Sequence, residues 1–136
     1  MTVKVGVIGY GTIGSRLAYA ASLQKDMELA GVADVAPTLT LRALRARGMP
    51  YKLYCIDKQK IKNFEDAAIP VSGTLEDLLG EVDIVLDAAP GGIGAKNKQL
   101  YEKFDLPAIF QGGEKGAVAD VFFHGYANYE KGLGKK

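Results

Sequence analysis

The stretch VGVIGYGTIGSRLAYA, Val5–Ala20, decides how this chain is read. An apolar run ends in Gly9, Gly11 and Gly14, and residues at helical spacing follow. Each glycine has a separate job in a strand-turn-helix that binds a dinucleotide. Gly9 permits the sharp turn off the strand. Gly11, without a side chain, lets a pyrophosphate approach the backbone. Gly14 lets the helix pack closely on the strand. The helix start adds free N–H groups and the positive end of its dipole, both suited to phosphate. The spacing is weak by itself and gains weight from its context after a strand, before a helix and within a βαβ unit.

That context is readable on both sides. Val3–Ile8 is valine-rich and apolar apart from Lys4, as a parallel strand buried on both faces should be. Thr12–Gln24 carries Ile13, Leu17, Ala18 and Ala21 at helical spacing, and Met27–Ala33 returns to strand. Asp34 ends that strand, twenty residues after Gly14. A carboxylate at that place accepts hydrogen bonds from the adenine-ribose hydroxyls.

Further along, the sequence predicts helices over Thr38–Arg47, Ile61–Ala67, Thr74–Leu79 and Lys96–Phe104. It predicts strands over Tyr51–Cys55, Val82–Ala88, Ala108–Gln111 and Val118–Phe123, with Ile69–Val71 extended. Thr74 and Asp77 have the spacing of a capping box. The alternation of strand and helix gives an α/β fold, a Rossmann-type doubly wound and mostly parallel sheet, with residues 1–136 as a single domain. The weakly structured tail Gly132–Lys136 reads as a boundary.

In such sheets a ligand lies beyond the C-terminal ends of the strands. Two glycine-rich loops fall there, Ala88-Ala89-Pro90-Gly91-Gly92 and Phe110-Gln111-Gly112-Gly113-Glu114-Lys115. Glu114 and Lys115 are expected to pair on the surface, and Gly94 to turn the chain. Cys55 and His124 have no partners in sequence that would make them catalytic, so Cys55 is expected to be a small buried residue and His124 to bond locally. No spacing of histidine and cysteine suggests a metal.

Composition narrows the function further. The chain is 136 residues long, 48% hydrophobic, with 17 basic and 16 acidic residues for a net charge of +1. That balance leaves no field to attract nucleic acid and suits a small-molecule binder. One cysteine excludes an intrachain disulfide and agrees with a reducing cytoplasm. The start lacks the pattern of a secretory signal, and no apolar run approaches the roughly 18–20 residues that cross a bilayer.

Together, VGVIGYGTIGSRLAYA, DIVLDAAPGGIGAKNKQLYE and AIFQGGEKGAVAD resemble the archaeal type of phosphorylating glyceraldehyde-3-phosphate dehydrogenase. The resemblance runs from Val3 to the C-terminus, and its PGGxGxKNKxLYE and FQGGEK stretches are far more specific than the glycine fingerprint. It implies an N-terminal nicotinamide-binding domain, a separate catalytic domain and a homotetramer. By match of motif, Gly9, Gly11, Thr12, Ile13 and Gly14 hold the phosphates. Ala89 and Pro90 line the adenosine-side crevice, and Gln111, Gly112 and Gly113 lie near the nicotinamide. In the whole enzyme a cysteine thiolate attacks the aldehyde, hydride passes to the nicotinamide, and phosphate displaces the thioester. The segments bearing that cysteine and the catalytic histidine are expected beyond Lys136, so this chain alone is expected to be inactive. Members commonly have Asn in place of Ile8 and Lys in place of Asp34. The second difference, with no cation directly after Asp34, shifts the expected preference to NAD, with NADP possible if Arg42 and Arg45 reach back. The residues alone leave two alternatives, a stand-alone dinucleotide-binding module and the first half of another two-domain reductase.

Overall fold

The computed structural model describes residues 1–135. Six parallel strands form one sheet: β1 (Val3–Ile8), β2 (Met27–Asp34), β3 (Leu53–Cys55), β4 (Gly73–Thr74), β5 (Ile84–Asp87) and β6 (Ala108–Phe110). Their order across the sheet is β4-β3-β2-β1-β5-β6. The chain steps outward from β1 to β4, then crosses back to the other side of β1. The reversal lies between β1 and β5, which makes their C-terminal ends the switch point of a doubly wound fold.

Helices α1 (Thr12–Ser22), α2 (Leu39–Ala46), α3 (Ile61–Asp66), α4 (Leu75–Leu79) and α5 (Ile93–Lys103) connect the strands, and a short α6 (Tyr129–Gly132) follows. The strands alternate their side chains between two apolar layers. Val5, Val7, Val32, Leu53 and Cys55 pack with Ala18, Leu41, Leu44 and Phe64 on one face. Ile8, Ala33, Tyr54 and Val85 pack with Leu75, Leu78, Leu79 and Tyr101 on the other. Helix α1 buries Gly14, Ala18 and Ala21 rather than its larger residues, and Ile13 is left 47% exposed. Small residues on that stripe bring the helix axis close to β1.

Local sequence chemistry sets several boundaries. The Thr38 hydroxyl accepts the Leu41 N–H and starts α2. Thr74 and Asp77 form the expected capping box at the start of α4. Strands β1, β2, β5 and β6 fall where the periodicity puts them. At the β4 edge, the expected extended segment Ile69–Val71 stays outside the sheet, and β4 begins two residues later, after the Ser72 N–H bonds to the Leu53 carbonyl (2.7 Å). Helix α5 starts at Ile93, three residues before the expected Lys96, so Gly94 lies inside the helix instead of turning the chain.

The expected strand over Val118–Phe123 does not form. Gly116–Val118 is a turn of 3-10 helix, and the following backbone is held by side chains. Asn128 accepts the His124 N–H (2.6 Å) and donates its amide to the Phe122 carbonyl (2.5 Å). Asn128 thus takes one main-chain group of the expected strand, the Phe122 carbonyl, and the N–H of the residue that follows that strand. Phe122 and Phe123 lie over Gly116 and Gly132, where a side chain would come within 2.7 Å and 2.6 Å of their rings. A cavity of about 530 Å³ remains between β6 and this segment, lined by Ile109, Phe110, Phe122, Phe123, Tyr129 and Leu133 among others.

Candidate functional site

The turn after β1 is built as its glycines predict. Gly9 adopts φ +85°, and a Cβ there would lie 3.0 Å from the Ala88 and Ala89 backbone. A side chain on Gly14 would overlap the Gly9 carbonyl oxygen, so the turn and α1 close on each other without space for one. Gly11 is the opposite case: nothing lies within 4 Å of where its Cβ would be. It is the N-cap of α1, no side chain caps that helix, and no acid lies in its first turn. The first N–H groups of a helix have no intrahelical partner. At α1 they begin beside a residue with no side chain and open space where one would be, which leaves room for an approaching phosphate. Thr12 and Ile13 are exposed at the same helix start.

Asp34 ends β2 beside this turn, 7% exposed. One carboxylate oxygen accepts the Tyr10 N–H (2.9 Å) and the other the Val35 N–H (2.7 Å). The acid thus fixes the middle of the glycine turn from the neighbouring strand. Tyr10 itself is buried, and burial raises its phenol pKa.

The loops after β5 and β6 meet the turn from the other side. Ala89 is buried and Pro90 exposed, while Gln111 and Gly113 are exposed and Gly112 half-buried. A side chain on Gly112 would overlap the Ala89 carbonyl oxygen, and one on Gly91 would lie 3.3 Å from that of Gly113. Gly9, the Ala88–Gly92 loop and the Gln111–Gly113 loop are therefore in backbone contact, one beside the next. With Asp34 joined through Tyr10, the predicted residues form one rim along the C-terminal ends of β2, β1, β5 and β6.

Below that rim lies a polar cluster that the sequence reading did not assign. Asp87, 1% exposed at the end of β5, accepts the Ala89 N–H (2.9 Å), the Asn97 amide (3.0 Å) and the Tyr101 hydroxyl (2.6 Å). Burial and the adjacent Asp87 carboxylate push the Tyr101 phenol far above its ordinary range. The signal was an acid ending an apolar strand, with Asn97 and Tyr101 four apart on the following helix. Glu114 is also placed differently from expectation. It does not pair with Lys115; its carboxylate accepts the N–H groups of Gly92 (2.8 Å) and Gly94 (2.9 Å) at the start of α5.

Cys55 is fully buried and donates to the Asp57 carbonyl (3.0 Å); burial pushes its thiol pKa up. A raised thiol pKa disfavours the reactive thiolate. His124 is exposed and bonded within its own loop, accepting the Tyr126 N–H. Among the described residues no group of three or more histidine, cysteine or acidic residues is placed to hold a metal, and no helix is long and apolar enough to cross a membrane.

Curated relatives match this chain over nearly its whole length. A glyceraldehyde-3-phosphate dehydrogenase of Thermococcus kodakarensis is 56% identical over 135 residues, covering 99% of this chain and 40% of its own. That of Pyrococcus abyssi is 53% identical with the same coverage. That of Saccharolobus islandicus is 48% identical over 134 residues, covering 98% of this chain and 38% of its own. The chain is similar to the N-terminal part of archaeal glyceraldehyde-3-phosphate dehydrogenases. It spans about two fifths of the length of these dehydrogenases. No protein-family model matches it. Solved structures agree on the fold. An NAD-binding protein of Listeria innocua superposes with a TM-score of 0.54 at 20% identity, over 81% of this chain and 27% of its own. The WlbA dehydrogenase of Bordetella pertussis, solved with NADH and UDP-GlcNAcA, superposes at 0.52 and 18% identity, over 81% and 28%.

Proposed function

We propose that this chain binds a nicotinamide dinucleotide across the rim at the switch point, as the cofactor-holding part of a phosphorying glyceraldehyde-3-phosphate dehydrogenase. The observation that carries this reading is the start of α1, uncapped, without acid, and open above Gly11. Gly9, Gly11, Thr12, Ile13 and Gly14 hold the diphosphate. Asp34 meets the adenine ribose, with Ala89 and Pro90 along the adenosine side. Gln111, Gly112 and Gly113 lie toward the nicotinamide. The bound group accepts hydride from the substrate, and this chain binds and orients it. Residues 1–136 form one such domain. The nucleophilic cysteine belongs to a catalytic domain of the same cytoplasmic protein, assembled as a homotetramer.

NAD is preferred over NADP. The Asp34 carboxylate accepts from a free 2′-hydroxyl and repels a 2′-phosphate. Arg42 and Arg45, the nearest cations downstream, direct their Nε groups to the carbonyls of Pro37 and Ala68 (both 3.1 Å). A charge-assisted hydrogen bond is worth roughly 1.5–3 kcal/mol, and about 1.4 kcal/mol is a factor of ten. The expected preference is therefore about one to two orders of magnitude. Calorimetric titration with NAD and NADP at one ionic strength tests it. No binding of either overturns the function, and equal or tighter NADP binding overturns the role of Asp34.

A further inference from the structure

Two helices begin beside the switch point, and they begin differently. Helix α1 has no side-chain cap and no acid in its first turn. The start of α5 is filled by the Glu114 carboxylate, which arrives from the loop after β6, 22 residues beyond Gly92. One oxygen accepts both the Gly92 and the Gly94 N–H. The place is shaped for it: a Cβ on Gly94 would lie 2.9 Å from that same oxygen. The negative charge also neutralises the positive end of the α5 dipole. A diphosphate therefore has one open helix start to bind, that of α1.

The same carboxylate joins two loops. Gly112 lies against the Ala89 carbonyl and Gly91 near that of Gly113, so at these points the loops touch backbone to backbone. Such contacts have little intrinsic strength, and the two hydrogen bonds of Glu114 hold them in register. Lys98 adds a second tie lower on α5, donating to the Val118 carbonyl (2.7 Å). We infer that Glu114 is a positioning residue for the half of the dinucleotide that lies beyond β5 and β6: it latches the Gln111–Gly113 loop to the start of α5. This rests on the dinucleotide reading above. The adenosine half is held by α1 and Asp34, and Ala89 beside it is fixed by its own N–H bond to Asp87 rather than by the latch.

The test compares Glu114→Ala and Glu114→Gln with the parent 136-residue chain. Amide hydrogen exchange at Gly92 and Gly94 is followed without ligand, and NAD and ADP-ribose are titrated by calorimetry. ADP-ribose contains both phosphates and the adenosine but lacks the nicotinamide. In Glu114→Ala, exchange at both glycines accelerates and NAD affinity falls about tenfold, while ADP-ribose affinity is retained. Glu114→Gln, whose amide oxygen still accepts both N–H groups, recovers most of the loss. Equal losses for NAD and ADP-ribose, no loss for either, or a glutamine variant no better than alanine overturns the positioning role. If the parent binds neither ligand, the proposed function fails; the latch is then judged by exchange, and unchanged protection in Glu114→Ala overturns it.

Discussion

The Asp34 carboxylate accepts the backbone N–H of Tyr10 at 2.9 Å, so the acid at the end of one strand holds the turn that leaves its neighbour. The residue expected to choose the cofactor is therefore also a brace for the phosphate turn. Asp34→Lys separates these roles poorly, and that is measurable. The substitution relaxes or reverses the NAD preference, and it leaves the Tyr10 N–H without its acceptor. An unsatisfied buried donor costs about 1–3 kcal/mol. Dissociation constants for both cofactors, with a denaturant melt of the same sample, should show both effects. A change of preference at full stability would mean that Asp34 does not brace the turn.

Gly11 and Gly14 predict opposite outcomes. Gly11→Val puts a side chain into open space at an N-cap, costing stability about 1 kcal/mol or less, yet it fills the path of the diphosphate and abolishes NAD binding. Gly14→Ala drives a methyl into the Gly9 carbonyl. Overpacking of that kind costs about 1–3 kcal/mol or more. Thermal melts and calorimetry on both variants distinguish them. A Gly11→Val protein that binds NAD like the parent removes the turn from the phosphate site.

Tyr101 makes stability fall at alkaline pH. Its proton is held in the folded chain by burial and by the Asp87 carboxylate. In the unfolded chain a tyrosine releases its proton near pH 10. Above that pH the unfolded state binds fewer protons, so stability drops with rising pH, by up to about 1.4 kcal/mol per pH unit for one group. Tyr10 and Tyr54, also raised by burial, act in the same direction. Tyr101→Phe should be less stable at neutral pH by roughly 1.5–3 kcal/mol, the value of a hydrogen bond to a charged group, with a shallower decline above pH 10. Urea melts at neutral and alkaline pH measure both. An unchanged alkaline slope would place that proton elsewhere.

Cys55 should be silent in chemistry. A fully buried thiol with its pKa raised reacts with thiol reagents only when the fold opens. The labelling rate should follow global unfolding across a denaturant series. Cys55→Ser should leave NAD affinity unchanged, and no oxidation of glyceraldehyde 3-phosphate that depends on Cys55 is expected. Turnover that Cys55→Ser abolishes would make this cysteine the nucleophile.

What the sequence disclosed follows from the range of the interactions involved. Strand β1 and the turn behind it were legible because periodicity and glycine spacing are local, and the Thr74–Asp77 capping box spans three residues. The role of Glu114 was not, because its partners lie 20 and 22 residues back and nothing in FQGGEK announces them. The cluster on Asp87 was half visible, as an acid ending an apolar strand, but its partners are fixed only when α5 folds over the sheet. The aromatic run Val121-Phe122-Phe123 reads as strand because β propensity reports a fit to a pleated surface. It carries no information about Asn128, which bonds the Phe122 carbonyl and the His124 N–H. Ile8 shows the same limit in reverse. It is buried in the same apolar layer as Tyr101 and Val85, and the turn after it is held by backbone bonds, Gly9 N–H to the Ala33 carbonyl and Ala88 N–H to the Ile8 carbonyl (both 2.8 Å).

The contacts at Gly14 and Gly112 have an evolutionary consequence. In each, an α-carbon rests on a carbonyl oxygen of the neighbouring loop, Gly9 in one case and Ala89 in the other. No amino acid other than glycine fits either place without moving main chain, so drift at these two positions is barred in one step. Asp34 is under no such steric bar, since its side chain can be exchanged while the strand end remains. On the role proposed for Asp34, a lineage carrying this fold can revise its choice of nucleotide by substitution at β2, at the cost of the Tyr10 brace, while the two glycines stay frozen as the shape into which every such revision must fit.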